Sequence, residues 1–259
     1  MTKIIKIDNS NLFFSMPNNL KIVDKKLAQL NSKRPLPQAT LNSLRENWLV
    51  EWTYNSNAIE GNTLTLKETK VVLEGITVGG KTISEHLEAI NHKEAILYIE
   101  ELILEPKSLI ERDIKNIHYL VLKQIDTHNA GKYRNIDVLI SGASHIPPRS
   151  IVVHQLMSQL MVDLDKWTQK QHQLVVCALL HGEFVKIHPF VDGNGRTARL
   201  LMNFVAIKNG YPPIVIAKEQ RLKYYDALDT AHTTNDYTSL VAMIFELAEK
   251  SLDKYLSVL

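Results

Sequence analysis

Twelve consecutive residues, His188 to Arg199, place an imidazole, a carboxylate, a glycine-bracketed loop and two guanidinium groups in one short stretch. His188 is a natural general base, because an unperturbed imidazole titrates near neutrality. Asp192 offers hard oxygen atoms to Mg²⁺, an ion commonly held by one or two protein carboxylates together with substrate phosphates. Gly193 and Gly195 open backbone angles closed to other residues and let N–H groups approach a ligand. A loop of this kind at the start of a helix aims unpaired donors and a positive dipole end at one spot, which suits phosphate. Asn194 is expected to donate to a phosphate oxygen, while Arg196 and Arg199 add charge. These parts suit holding a polyphosphate and moving a proton. The bland alternative is an ordinary helix-loop-helix with a glycine-rich turn, which the complete ordered set disfavours.

Helices must position these groups. Leu174, Val175, Ala178, Leu179, Phe184 and Ile187 predict a buried helix that stops near His188, since Pro189 makes continuation costly. Arg196 to Val205 resume the helical pattern, which Asn209-Gly210 ends. Leu41, Leu44, Trp48, Leu49 and Trp52 give an amphipathic helix, and Thr65 to Glu68 form a capping box opening another. Ser108 to Glu111 form a second expected box, ahead of Ile114, Ile117, Leu120 and Val121. Further helices are expected from about His154 to Trp167 and from roughly Thr238 to Leu256. The first forty or so residues, with Pro17, Pro35 and Pro37, predict an arm of no assignable fold.

Read from end to end, His188-Pro189-Phe190-Val191-Asp192-Gly193-Asn194-Gly195-Arg196-Thr197-Ala198-Arg199 resembles the Fic-domain signature without substitution. The resemblance implies a mainly α fold, a Fic-type helical bundle with a small β-hairpin flap beside the active site. It also implies transfer of the AMP part of ATP to a Ser, Thr or Tyr hydroxyl of a target protein. By position, His188 deprotonates the hydroxyl, Asp192 carries Mg²⁺, and Gly193, Asn194 and Gly195 cradle phosphates. Arg196 contacts the phosphate chain and Arg199 the terminal phosphate. Ser56-Asn57-Ala58-Ile59-Glu60-Gly61 resembles the inhibitory motif of one Fic class, carried on a short helix at about 55–61, in which the glutamate pairs with the second signature arginine. Here that pair is Glu60 with Arg199, and the surrounding stretch Ser56 to Leu66 is similar to animal endoplasmic-reticulum members of the family. Gly131-Lys132-Tyr133-Arg134, Val138-Leu139-Ile140 and His145-Ile146-Pro147-Pro148 resemble the flap, whose edge would align a target segment by strand addition. Extra residues at Ser141 to Ser144 set it apart from the animal members. Tyr224 and Tyr225 match a region that lines the nucleoside pocket, where either ring could stack on adenine or simply pack. His232 stands where the animal members carry asparagine.

At 259 residues with 45% hydrophobic content the chain can build one large core. Residues 1–105 are expected to form an N-terminal arm and helical region holding the inhibitory segment, and 106–259 the Fic core with C-terminal helices, packed as one unit. Cys177 stands alone in an apolar run and is expected to be a packed thiol with no disulfide role, and its being single excludes multi-cysteine zinc sites. His181-Gly182-Glu183 opens like a deaminase motif but lacks the later cysteine pair that chemistry needs. A net charge of +2 with interspersed signs argues against nucleic acid as a partner. No run reaches membrane-spanning length, and Met1 to Ile7 are too short and charged for a signal peptide, so a cytoplasmic, bacterial protein is expected. Gly75 to Thr82 satisfy the Walker A pattern, yet the residues before it look helical, so a helix-helix turn is the better reading.

Three functions follow. The favoured one is an auto-inhibited, Mg²⁺-dependent protein adenylyltransferase, to which the resemblance adds a homodimer and self-modification as options. The second is the reverse reaction, with Glu60 positioning water to remove AMP. The third is a nucleotide-binding regulatory module without turnover.

Overall fold

The computed structural model describes residues 4–6 and 11–259; the reading of Met1 to Ile7 therefore lies partly outside the described residues. Two short strands, β1 (Ile4–Lys6) and β2 (Phe13–Ser15), pair antiparallel with Ile5 opposite Phe14. Ten helices follow. The first five are α1 (Leu20–Ser32), α2 (Gln38–Ile59), α3 (Leu66–Leu73), α4 (Ile83–Leu104) and α5 (Glu111–Leu122). The others are α6 (Val153–Lys170), α7 (Gln173–Ile187), α8 (Asn194–Lys208), α9 (Arg221–Thr234) and α10 (Thr238–Leu256). The mainly α architecture agrees with the expected fold class.

The sequence of α7 explains its central place. Leu174 through Gly182 are all buried, so the helix is apolar all round and must be enclosed by neighbours. It packs on α6, α8, α9 and α10, while α4 and α5 close over the other side of α8. His172 starts α7 by accepting the Leu174 N–H at 3.2 Å. The helix ends at His188, whose N–H reaches the Phe184 carbonyl at 3.0 Å. One continuous core runs from Leu12 and Phe14 through Trp52 and Ile99 to Leu252, crossing residue 105. Residues 11–40 acquire structure by joining it. Phe14 is fully buried, worth about 1.5–3 kcal/mol of apolar transfer. Phe13 exchanges backbone hydrogen bonds with Asn235 and Tyr237 at 3.1 and 2.8 Å, which pins β2 to the α9–α10 turn. α1 lies along α10, with Lys26 bridging Glu249 and Asp253.

Three local expectations need correction. α5 begins at Glu111 with Asp113 reaching back to the Ile110 N–H at 3.2 Å, so Ser108 is not its cap. Leu109 is buried, and sinking that residue carries Ser108 away from the helix start. The inhibitory segment is the last turn of the 22-residue α2, with Glu60 as C-cap, not a separate short helix. The flap residues 131–149 carry no strand ladder. Pro147 and Pro148 have no N–H to donate, and a buried arginine takes carbonyls a partner strand would need.

The Walker-like segment is the α3–α4 turn, as read. Thr65 caps α3 and Thr82 caps α4, each with a complete box to Glu68 and Glu85, and Lys81 donates to the Thr63 carbonyl at 2.7 Å. Among the described residues no helix is long and apolar enough to cross a membrane.

Candidate active site

His188 ends α7 in the left-handed region, φ 51° and ψ 59°. An L-residue pays roughly 1–2 kcal/mol there, so neighbours must enforce it. Arg134 does so by donating from Nε to the His188 carbonyl at 2.8 Å. Burial pushes the imidazole down to about 4; the Arg134 guanidinium adds to that push, while the Val185 backbone and the Glu60 and Asp192 carboxylates oppose it. At neutral pH the ring is an unprotonated base.

Between α7 and α8 the loop is fastened from three sides. Phe190 is fully buried and stacks on His118, centroids 3.5 Å apart. His118 accepts the Gly131 N–H on Nδ1 at 2.9 Å, which leaves its Nε2 proton for the Asp192 carbonyl, also 2.9 Å away. Gly193 has φ 74°, and a Cβ there would lie 3.2 Å from His118 Nε2. The expected phosphate donor Asn194 is committed elsewhere. Its carboxamide accepts the Phe190 N–H and donates to the Phe190 carbonyl, both at 2.9 Å, and the residue is buried. The side chain staples the loop, and what remains for an anion at Asn194 is backbone.

The carboxylate of Asp192 is 67% exposed at the loop rim. It accepts the Gly193 N–H at 2.6 Å and faces Arg196 at 3.3 Å. Arg196 is buried and also faces Glu88 at 3.6 Å. Arg199 is buried deeper and fully engaged on one side. It donates from Nε to Ser56 Oγ at 3.0 Å, and from Nη2 to the Ser56 carbonyl and to Glu60 Oε1, both at 2.7 Å. Burial is the largest influence and works against its charge, but the Glu60 carboxylate and the Tyr224 hydroxyl together outweigh it and hold the guanidinium above its ordinary value. Glu60 therefore sits on the loop itself. A Cβ on Gly195 would stand 2.3 Å from Glu60 Oε1 and 3.1 Å from Arg199 Nη1. Gly61, φ 105°, reverses the chain, and Asn62 locks the turn onto α4 through the Glu85 carbonyl at 3.0 Å and Glu88 Oε2 at 2.7 Å.

A hollow of about 330 Å³ opens beside this loop, lined by His188, Glu60, Gly195, Tyr224, Tyr225 and His232 among others. That volume lies at the lower end of small-molecule sites. Tyr224 is buried with its hydroxyl 2.8 Å from His181 Nε2, whereas the half-exposed Tyr225 donates to the Ile59 carbonyl at 3.3 Å. Of the two rings, Tyr225 is the freer to stack. His232 is engaged with the Gly182 carbonyl at 2.9 Å. From the flap, Ile140 and the insertion residues Ser141 to Ala143 line the same hollow, Val138 is half-buried and Leu139 is 79% exposed. Asp229 holds the insertion by accepting the Ser144 and His145 N–H groups at 2.8 and 3.2 Å.

Sequence reasoning assigned no role to Arg134, His118, Glu88, Asn62 or Asp229. A histidine on the apolar face of α5 was the one available signal for His118.

Four buried histidines and the half-buried His188 are depressed chiefly by loss of solvent: His92 well below 6.5, His118 and His188 to about 4, His181 and His232 to about 3. The unfolded chain binds these protons from pH 6.5 downward and the fold resists until pH 4 or 3. Stability is therefore complete above pH 6.5 and lost as pH falls through that window. One pKa unit is ~1.4 kcal/mol, so each such histidine costs about 2 kcal/mol at pH 5. Thermal melts should show a clear fall in Tm from pH 7 to pH 5, and a flat profile would contradict the buried neutral rings.

Comparison with known proteins identifies the family and the fold. The Fic/DOC family model matches residues 108–206. Proteins named protein adenylyltransferase Fic are similar: that of Drosophila melanogaster is 36% identical over 90% of this chain and 48% of its own length. That of Drosophila grimshawi is 34% identical over 97% and 54%. The chain spans about half the length of these curated relatives. Among solved structures, a Fic domain containing signaling protein from Bacteroides thetaiotaomicron superposes with a TM-score of 0.84 at 29% identity, covering 93% of this chain and 97% of that one. A fragment of Fic-1 from C. elegans gives 0.82 at 30% identity, covering 93% and 71%.

Proposed function

This chain belongs to the Fic/DOC family, and from that premise we propose that it transfers AMP from ATP to a Ser, Thr or Tyr hydroxyl of a protein. The observation that carries the proposal is one hollow lined by His188, the glycine loop and the tyrosine pair of α9. His188, neutral at pH 7, takes the proton of the acceptor hydroxyl. The freed oxygen bonds to the α-phosphorus, and the bond from that phosphorus to the pyrophosphate oxygen breaks. The N–H groups at the start of α8 face the anion, and Arg196 and Arg199 supply charge for the phosphate chain.

Asp192 would hold Mg²⁺. Its carboxylate is two-thirds exposed and is met by the Gly193 N–H and Arg196, which fits a hard ion taking one protein carboxylate plus phosphate oxygens. When bound, the ion neutralises phosphate charge. In the resting protein Glu60 occupies Arg199, so the same proposal includes auto-inhibition. A cytoplasmic setting belongs to it as well.

A second reading rests on Glu60 itself. Its side chain is 33% exposed and lines the hollow, where a carboxylate can orient water against an AMP-modified side chain. One experiment separates the two. Mass spectrometry of a matched cell lysate treated with ATP and Glu60→Gly protein should find peptides heavier by AMP on a hydroxyl side chain. Absence of such peptides, with AMP removed from a modified target by the wild type and not by Glu60→Gly, would favour the reverse reaction.

A further inference from the structure

Arg134 has no part in the reaction as described, yet it joins the two segments the reaction needs. Its side chain has no exposed surface, and the nearest carboxylate, Asp137, is largely in solvent 3.9 Å away. A guanidinium so buried is tolerated only with its N–H groups satisfied. Backbone carbonyls satisfy them. Nε donates to His188 at 2.8 Å, Nη1 to Ile136 at 2.9 Å, and Nη2 to Pro148 at 2.5 Å. The Arg134 N–H adds a bond to the Pro189 carbonyl at 2.9 Å.

These acceptors fall in two groups. His188 and Pro189 form the turn that carries the base, and Ile136 and Pro148 bracket the flap residues Val138 to Ile140. His188 is the strained member, left-handed without being glycine. Its N–H is fixed within α7, so the carbonyl side decides whether the pose persists. We infer that Arg134 is a positioning residue, holding the His188 backbone in its left-handed pose and tying that pose to both ends of the flap. Base and target-docking segment are then set by one rigid fork. A lysine cannot substitute, because a single ammonium on a flexible stem does not reproduce the planar array of donors. The inference rests on His188 being the base of the proposed transfer.

The test uses the full chain carrying Glu60→Gly as parent, with Arg134→Lys and Arg134→Met added separately. Incorporation of α-phosphate-labelled ATP into a fixed amount of lysate protein gives kcat and KM for ATP. NMR of the His188 ring gives its titration midpoint without reference to activity. The charged groups facing the ring are Arg134, Asp192 and, in the wild type, Glu60. Both variants should lose kcat by about 100-fold, the scale of a small misplacement of a reacting group, with KM for ATP unchanged within about threefold. In Arg134→Met the His188 midpoint should rise from the parent value toward 6.5. A lowered Tm with parental kcat and midpoint would reduce Arg134 to a packing role and overturn the inference. If Arg134→Met does not fold, Arg134→Lys decides by the same kcat criterion. If the parent transfers no label, the transfer reading fails instead, and the His188 midpoint alone judges whether Arg134 sets the ring.

Discussion

Glu60→Gly should raise transfer of label from α-phosphate-labelled ATP by on the order of 10- to 100-fold. The size follows from the contact being removed. A hydrogen bond between charged partners is worth about 1.5–3 kcal/mol, which is roughly 10- to 150-fold in an equilibrium. The Arg199–Glu60 contact is of that kind, 2.7 Å long with the arginine side chain 3% exposed. Removing the carboxylate leaves Arg199 its two bonds to Ser56, so the guanidinium stays oriented while one face becomes free for phosphate. The substitution should cost little stability, because Glu60 is a C-cap beyond the last turn of α2 and glycine is well tolerated there. Glu60→Gln keeps the shape and loses the charge, so its activation should fall between. Labelling rates at fixed ATP, with matched far-UV CD spectra, are the measurement. Equal rates for wild type and Glu60→Gly would mean that the ion pair does not limit transfer. Gly195→Ala provides an independent approach from the other side of the contact. Its Cβ would have to displace Glu60 Oε1 from 2.3 Å, so it should weaken the ion pair while leaving Glu60 itself unsubstituted.

The pair that sets this prediction also marks how far sequence reasoning reaches. His188 to Arg199 are contiguous, and their chemistry is written in residue types and spacing. α7 was equally legible, since a helix apolar all round has nowhere to lie but inside. Glu60 and Arg199 are separated by 139 positions, and neither propensity nor periodicity joins them. A likeness in Ser56 to Gly61 suggested the pairing, and the structure supplies its distance.

What was misread shares a physical cause. Asn194 was assigned to phosphate because a loop asparagine can donate outward. The competing acceptor, the Phe190 carbonyl four residues back, is always within reach and needs no ligand. The hairpin expected at Val138 to Ile140 and the prolines beyond them rested on the resemblance to the Fic flap, not on any alternation in these residues. The carbonyls that bracket them, at Ile136 and Pro148, go to a guanidinium instead. Arg134 and His118 act on backbone carbonyls and amides of distant loops, and backbone groups are the same in every sequence. Such roles become visible only once the chain is folded. The arm ahead of α2 failed for another reason, because its short strand is stabilised by Asn235 and Tyr237 at the opposite end of the chain.

His188→Ala should reduce transfer in the Glu60→Gly background by at least 10²–10⁴-fold, the usual contribution of a positioned general base. Nucleotide affinity should change much less, because the residues proposed to face the phosphates and the adenine lie on α8 and α9. The left-handed backbone complicates a simple alanine test. Alanine enters φ 51° less readily than histidine, so the loop could shift as well as lose its base. Asparagine enters this region more readily than other non-glycine residues and cannot act as the base. His188→Asn therefore preserves the turn while removing the chemistry. Should His188→Asn be as inactive as His188→Ala, with ATP affinity by calorimetry near that of the parent, the loss belongs to proton transfer. Should His188→Asn keep most of the activity, the imidazole is not the base, and the value of residue 188 lies in the turn that Arg134 holds.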